Sequence, residues 1–351
     1  MTTQPSLLGD TPTPRRRGGN LPAPAEGSPL RRVAPAGVYL GTSSWSFPGW
    51  QGLVWQGQHT APSLSRDGLP AYAALGLLRT VGIDRSFYSP MSADEFATYA
   101  LQVPADFRFL VKAPALVTDA VVRAENGSGR AANRWFLDAD VALDRFIGPA
   151  IEGLGQRAGP LVFQFSPAPR AMLADPVAWI ERLGLFLEML PREVRGLAPL
   201  YAVELRNPEF LTPRLMRLLR AQGVRYVIGL HDRMPGIERQ VNALRVLDEC
   251  PDGDYAPAGP LIVRWNLKPG LKYEEAKEHY FPFNRLVDED PDTRRMLAAL
   301  ARAATRNGQS AFIIANNKAE GSAPLSLLKL AEAIEDLDQA LHRQRRAGGE
   351  Q

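Results

Sequence analysis

The stretch YAVELRNP, Tyr201 to Pro208, begins apolar and ends charged. In an extended chain successive side chains point to opposite faces, so Ala202, Glu204 and Arg206 share one face. Seven other runs read in the same way. They are VYLGTSS (38–44), LRTVGID (78–84), FRFLVKAP (107–114), PLVFQFSP (160–167), VRYVIGLHD (224–232), LIVRWNL (261–267) and AFIIANN (311–317). Ile262, Arg264 and Asn266 fall on one face, as do Val162 and Gln164, while Phe163 and Phe165 take the other. Amphipathic segments fill several of the gaps. DPVAWIERLGLFLEMLP opens after Asp175-Pro176, and TPRLMRLLRAQG stops at Gly223, both fitting helix boundaries.

Eight such units over about 300 residues predict an α/β fold, a (β/α)8 TIM-like barrel in a single domain. A doubly wound open sheet is the competitor. No glycine-rich dinucleotide fingerprint follows the first run, and the polar ends recur on nearly every strand. In a barrel those ends converge on one mouth, whereas in an open sheet they would spread along an edge. The barrel is expected over residues 37–342. Residues 1–36, with seven prolines and five arginines and no apolar period, read as a disordered tail. Residues 343–351 read as a frayed C-terminal tail.

The bulk composition excludes several classes. Hydrophobic residues make up 45% of the 351, enough for a full core. No apolar run is long enough to span a bilayer, and the arginine cluster at 15–17 is not followed by the apolar segment of an export signal. A single cysteine, Cys250, precludes an intramolecular disulfide and suits a reducing compartment. The cytoplasm is the expected location. The net charge is +3, and residues 1–36 alone carry a surplus of three positive charges. The remainder is neutral, which argues against a nucleic-acid partner. The oligomeric state is not legible.

Five motifs in order, GTSSWSFPGW (41–50), FRFLVKAP, GPLVFQFSP (159–167), AVELRNPEF (202–210) and ANN (315–317), resemble the YecE-like proteins, a domain family of unknown function. The resemblance covers about residues 37 to 340 and implies a TIM-like barrel with no established activity. It also marks two departures. The family's VEINSTFY is VGIDRSFY here (81–88), so Gly82 stands where the family has glutamate, and Asp84 lies two residues on, on the same face. The family's RxHG is RWNL (264–267), so Asn266 replaces a histidine.

The polar strand ends are the candidate site. Arg206, Arg264 and Lys112 are expected to neutralise a small anionic ligand, phosphorylated or carboxylated. Glu204 or Asp84 would act as base, with Lys112 as a further catalytic candidate. A Schiff base on Lys112 is conceivable but opposed by a nearby Glu204, which favours the charged amine. Gln164, Asn266, Asn316 and Asn317 would orient hydroxyl groups, and Tyr88 would line the site. Trp45 is read as facing the mouth and Trp50 as anchoring its loop. Lys318 and the backbone amides after strand eight form a candidate phosphate site, set against ordinary capping of the last helix by Ser322. No metal or cofactor is expected. Asp84, Glu204 and Asp232 could surround a divalent cation, but the neighbouring arginines and lysine argue against it. Three readings follow: an enzyme or former enzyme, a non-catalytic binding or regulatory scaffold using the same pocket, and, with least support, nucleic-acid processing. The rival to any ligand site is a closed ion-pair network that only satisfies buried charges.

Overall fold

The computed structural model describes residues 21–123 and 129–348. All eight runs are strands: β1 Val38–Thr42, β2 Leu78–Ile83, β3 Arg108–Lys112, β4 Ala158–Gln164, β5 Leu200–Glu204, β6 Arg225–Leu230, β7 Leu261–Trp265 and β8 Ala311–Ala315. Each pairs in parallel with the next, and β8 closes on β1 with Ala311 opposite Val38 and Ala315 opposite Thr42. The chain is therefore a TIM-like (β/α)8 barrel, and the open sheet is excluded.

Alternation sorts the side chains as the period of two requires. Leu110, Val162, Ala202, Val227, Ile262 and Ile314 pack together as the barrel's own core. Phe163 and Phe165 point outward into the larger cluster beneath the helices, where Phe163 meets Phe146 and Phe186 edge-on at 5.6 and 5.2 Å. Tyr39 stacks on Phe312 at 4.6 Å, with the Arg79 guanidinium 4.8 Å from the Tyr39 ring. The barrel is thus filled with side chains rather than hollow.

Helix starts follow their sequence signals. Asp175 accepts from the amide of Ala178 at 3.0 Å and opens the helix Pro176–Met189. Thr212 does the same for Leu215 ahead of Pro213–Ala221. Gly223, at φ 63°, lets the chain turn out of that helix toward β6.

The ends of the chain differ from expectation. Residues 21–36 are packed. Ala23–Pro24 pairs with Trp55–Gln56, Leu30 is 0% exposed, and Arg32 forms ion pairs with Glu332 and Glu335 of the last helix. The segment carries no period because it is neither helix nor long strand; the core it covers supplies the apolar contacts. The rest of the expected tail, residues 1–20, lies outside the described residues. At the other end the helix Ala323–Gly348 runs through most of the stretch read as frayed, and residues 349–351 lie outside the described residues. Leu30→Ala is expected to destabilise the protein by about 2–4 kcal/mol through lost burial and a residual cavity. Urea unfolding checks this, and an unchanged midpoint would mean that the segment is not anchored.

Candidate functional site

At the C-terminal end of the barrel five strands, β2, β3, β4, β5 and β7, deliver charged or amide side chains to one point. Arg264, from β7, lies at the centre. Its Nη1 donates to Gln164 Oε1 at 2.8 Å and to Glu204 Oε2 at 2.9 Å, and its Nη2 reaches both oxygens of Asp84 at 3.2 and 3.3 Å. Arg206 Nη2 lies 2.6 Å from Glu204 Oε1 and donates to Gln164 Oε1 at 3.1 Å. Lys112 Nζ lies 3.7 Å from Asp84 Oδ1 and 4.5 Å from the centre of the Phe87 ring. Gly229 on β6 leaves room beside Glu204: a Cβ there would stand 3.7 Å from Glu204 Cγ.

This arrangement sets the protonation states. Burial alone would push Glu204 up, but Arg206 and Arg264 outweigh it and hold the carboxyl down at about 2. Burial pulls Lys112 down to about 8; Asp84 opposes the shift and Arg264 assists it. Arg264 is raised because Glu204 and Asp84 overcome its own burial. Burial lowers Arg206, against the pull of Glu204. Glu204 is therefore a permanent anion gripped by two guanidiniums, which makes it a poor proton acceptor at neutral pH. Of the candidate acid–base groups, Lys112 is the one tuned toward that range.

The other candidates are divided between site and scaffold. Tyr88 stands at the rim, 83% exposed. Asn316 Nδ2 donates to Ser43 Oγ at 3.0 Å, and its Oδ1 accepts from the backbone and side-chain nitrogens of Lys318 at 3.1 and 3.3 Å. Lys318 is buried, with Nζ 4.0 Å from the Tyr273 ring. Asn266 Nδ2 and Arg206 Nη1 are buried without a hydrogen-bond partner. Trp45 does not face the mouth. It packs beneath the helices, donating to the Leu64 carbonyl at 3.1 Å and lying edge-on to Tyr99 at 5.2 Å, so its ring is spent on packing. Trp50 anchors its loop by donating to Asn317 Oδ1 at 3.2 Å. The same oxygen accepts from Ala323 N at 2.9 Å. Asn317, rather than Ser322, therefore caps the last helix, and its carbonyl oxygen is occupied by the protein. Among the described residues no group of three or more His, Cys, Asp or Glu is placed to hold a metal ion, and no helix is long and apolar enough to cross a membrane.

Two contributors were not legible in sequence: Phe87, in the short helix Arg85–Tyr88, and Tyr273 meet Lys112 and Lys318 only in the fold, whereas Ser43, a polar strand end, meets Asn316 as that reading implies. Tyr273 opens the helix Tyr273–Tyr280. The GTSSWSFPGW loop packs against the segment that follows this helix. A Cβ on Gly49 would lie 1.8 Å from the carbonyl oxygen of Pro282, so glycine is required there.

Residues 39–348 match the family described as protein of unknown function DUF72. The chain belongs to the DUF72 family. A DUF72 protein of Thermotoga maritima is 21% identical with a TM-score of 0.55, over 85% of this chain and 99% of that one. A DUF72 protein of Enterococcus faecalis is 16% identical with a TM-score of 0.51, over 85% and 95%. These likenesses bear on the fold. No curated protein matches the chain in sequence. Within this DUF72 protein, Gly82 lies against β1: a Cβ would stand 3.2 Å from the Ser43 carbonyl oxygen. A longer side chain there needs that backbone to give way, and Asp84 supplies the carboxylate to Arg264 instead.

Two outcomes follow from this network. Arg264→Ala strands Glu204 in the core with Arg206 alone and is expected to cost about 3–5 kcal/mol. Denaturant unfolding measures it, and a loss under 1 kcal/mol would mean that the network is dispensable. Lys112 has the opposite sign. Below pH 8 it is protonated in both states, and the cost of burying its charge is fully present. Between about 8 and the unfolded value of 10.5 the unfolded chain holds more protons, so this cost is relieved as pH rises. Lys112→Met is therefore expected to be more stable than the parent at neutral pH, by at most about 3 kcal/mol. That advantage should fade toward pH 10.5. A pH-independent difference in unfolding midpoint would contradict the shifted amine.

Proposed function

We propose that the mouth of the barrel binds a small anionic ligand carrying a phosphate or carboxylate, with Lys112 as the acid–base group beside it. One observation carries this reading. Arg206 Nη1 is buried without an acceptor, and Lys112 carries a charge that burial opposes with only a 3.7 Å contact to Asp84. An orphaned donor and a poorly paired amine in a desolvated site are both costly, and one anion relieves both. Both Nη nitrogens of Arg264 are engaged by the protein, so Arg206 and Lys112 are the groups left to meet the ligand. Tyr88, exposed at the rim, supplies an apolar face with a hydroxyl tip.

The scaffold reading shares this site and differs only in turnover. The pinned state of Glu204 favours it to one extent: Glu204 organises the arginines and is a poor general base. The test is a thermal-shift series with phosphate, sulfate and small phosphorylated or carboxylated metabolites. A ligand present at about 100 times its Kd stabilises the folded state by about 2.7 kcal/mol. Arg206→Met is expected to abolish the shift. If no anion raises the parent's melting temperature, or if Arg206→Met leaves the shift intact, the proposal falls. Turnover of a stabilising compound would then separate enzyme from scaffold.

A further inference from the structure

Lys112 is held loosely for a buried lysine. Its nearest carboxylate oxygen, Asp84 Oδ1, lies 3.7 Å away, beyond hydrogen-bond range. Both oxygens of that carboxylate are already engaged by Arg264 Nη2. On another side the amine rests over the Phe87 ring at 4.5 Å. Glu204, whose negative charge would otherwise fix Lys112 as an ammonium, is neutralised by Arg206 and Arg264. Lys318, the other buried lysine after a barrel strand, is by contrast seated on Tyr273 and hydrogen-bonded to Asn316 Oδ1. The fold has thus placed one amine at the mouth without the partners that usually lock its charge.

We propose that Lys112 is a nucleophile that condenses with the carbonyl group of an anionic aldehyde or keto acid to form a covalent imine. The inference rests on the anion-binding reading above and names its substrate class. The ligand's phosphate or carboxylate takes the unpartnered donor of Arg206, which brings its carbonyl carbon toward Nζ. The neutral amine's lone pair forms the C–N bond while the carbonyl π pair moves onto oxygen. Nitrogen loses its two protons in turn, and Asp84, one-third exposed beside it, relays the first to the alkoxide, giving a carbinolamine, and the second to the departing hydroxyl. The C–O bond breaks, water leaves, and C=N remains; no oxidant or reductant is consumed. Burial and the guanidinium of Arg264 act together to keep a share of the amine neutral near pH 8.

The full-length protein is incubated with pyruvate, with glyceraldehyde 3-phosphate and with propanal, each in the presence of borohydride, and adducts are located by peptide mass mapping. Trapping at Lys112 with the two anionic carbonyls is expected to exceed trapping at exposed Lys272 by about tenfold or more. It should rise with pH to a plateau above 8. Lys112→Arg keeps the charge, so it should lose the adduct while still unfolding in a single cooperative transition. If phosphate stabilises the parent but Lys112 is not trapped above the level of Lys272, the imine proposal is overturned and the anion site stands. Trapping at Lys112 that is equally efficient with propanal, without any phosphate stabilisation, would overturn the anion reading and keep the nucleophile. A Lys112→Arg variant trapped as efficiently at other residues of the mouth would also overturn the assignment.

Discussion

The mouth of this barrel is organised by one buried carboxylate. Glu204 has no exposure to solvent and lies between two guanidiniums, ion-paired to Arg206 through one oxygen and accepting a hydrogen bond from Arg264 on the other. A charge so placed is tolerable only with close partners, and its partners come from two residues beyond its own strand and from β7, the next strand but one. Gln164 then ties the two arginines together through a single oxygen. Asp84 takes the free edge of Arg264 and leaves Lys112 only a long contact. Each step follows from the one before: remove Glu204, and the arginines repel one another, release Gln164 and change the field at Lys112.

Both Nη nitrogens of Arg264 are engaged by Gln164, Glu204 and Asp84, while its Nε and Glu204 Oε1 are buried without a hydrogen-bond partner. Arg206 keeps one orphaned nitrogen of its own, and Lys112 keeps a charge that burial opposes. Ion pairing therefore holds the geometry of the network without satisfying every polar atom in it.

Family membership settles the architecture and leaves the chemistry to the residues of this chain. A Cβ on Gly82 would stand 3.2 Å from the Ser43 carbonyl oxygen, and Asp84, two residues along, pairs with Arg264. Asn266 carries a buried amide nitrogen without a hydrogen-bond partner.

Much of this was decided locally. The alternation in β4, β5 and β7 depends only on the geometry of an extended chain, so the inward faces of Gln164, Glu204 and Arg264 and the outward faces of Phe163 and Phe165 were legible before any fold was known. The helix start at Asp175 and the stop at Gly223 were legible for the same reason, since a cap and a terminating glycine act within a few residues. Closure of the sheet was inferable because polar ends on every strand make sense only where they meet. Contacts between distant segments were not legible. Trp45 looks the same in sequence whether it lines a mouth or fills the space under Leu64 and Tyr99. Leu30 sits in a proline- and arginine-rich stretch with no period, yet it is wholly buried because the surface it covers belongs to other parts of the chain. Whether Asn317 binds a ligand or caps a helix depended on where Trp50 and Ala323 came to rest. Sequence alone determined which residues face inward, because that is a property of each strand. Only the tertiary structure decided which of them are already satisfied, because that depends on partners brought from β2, β3, β4, β5 and β7 to one point.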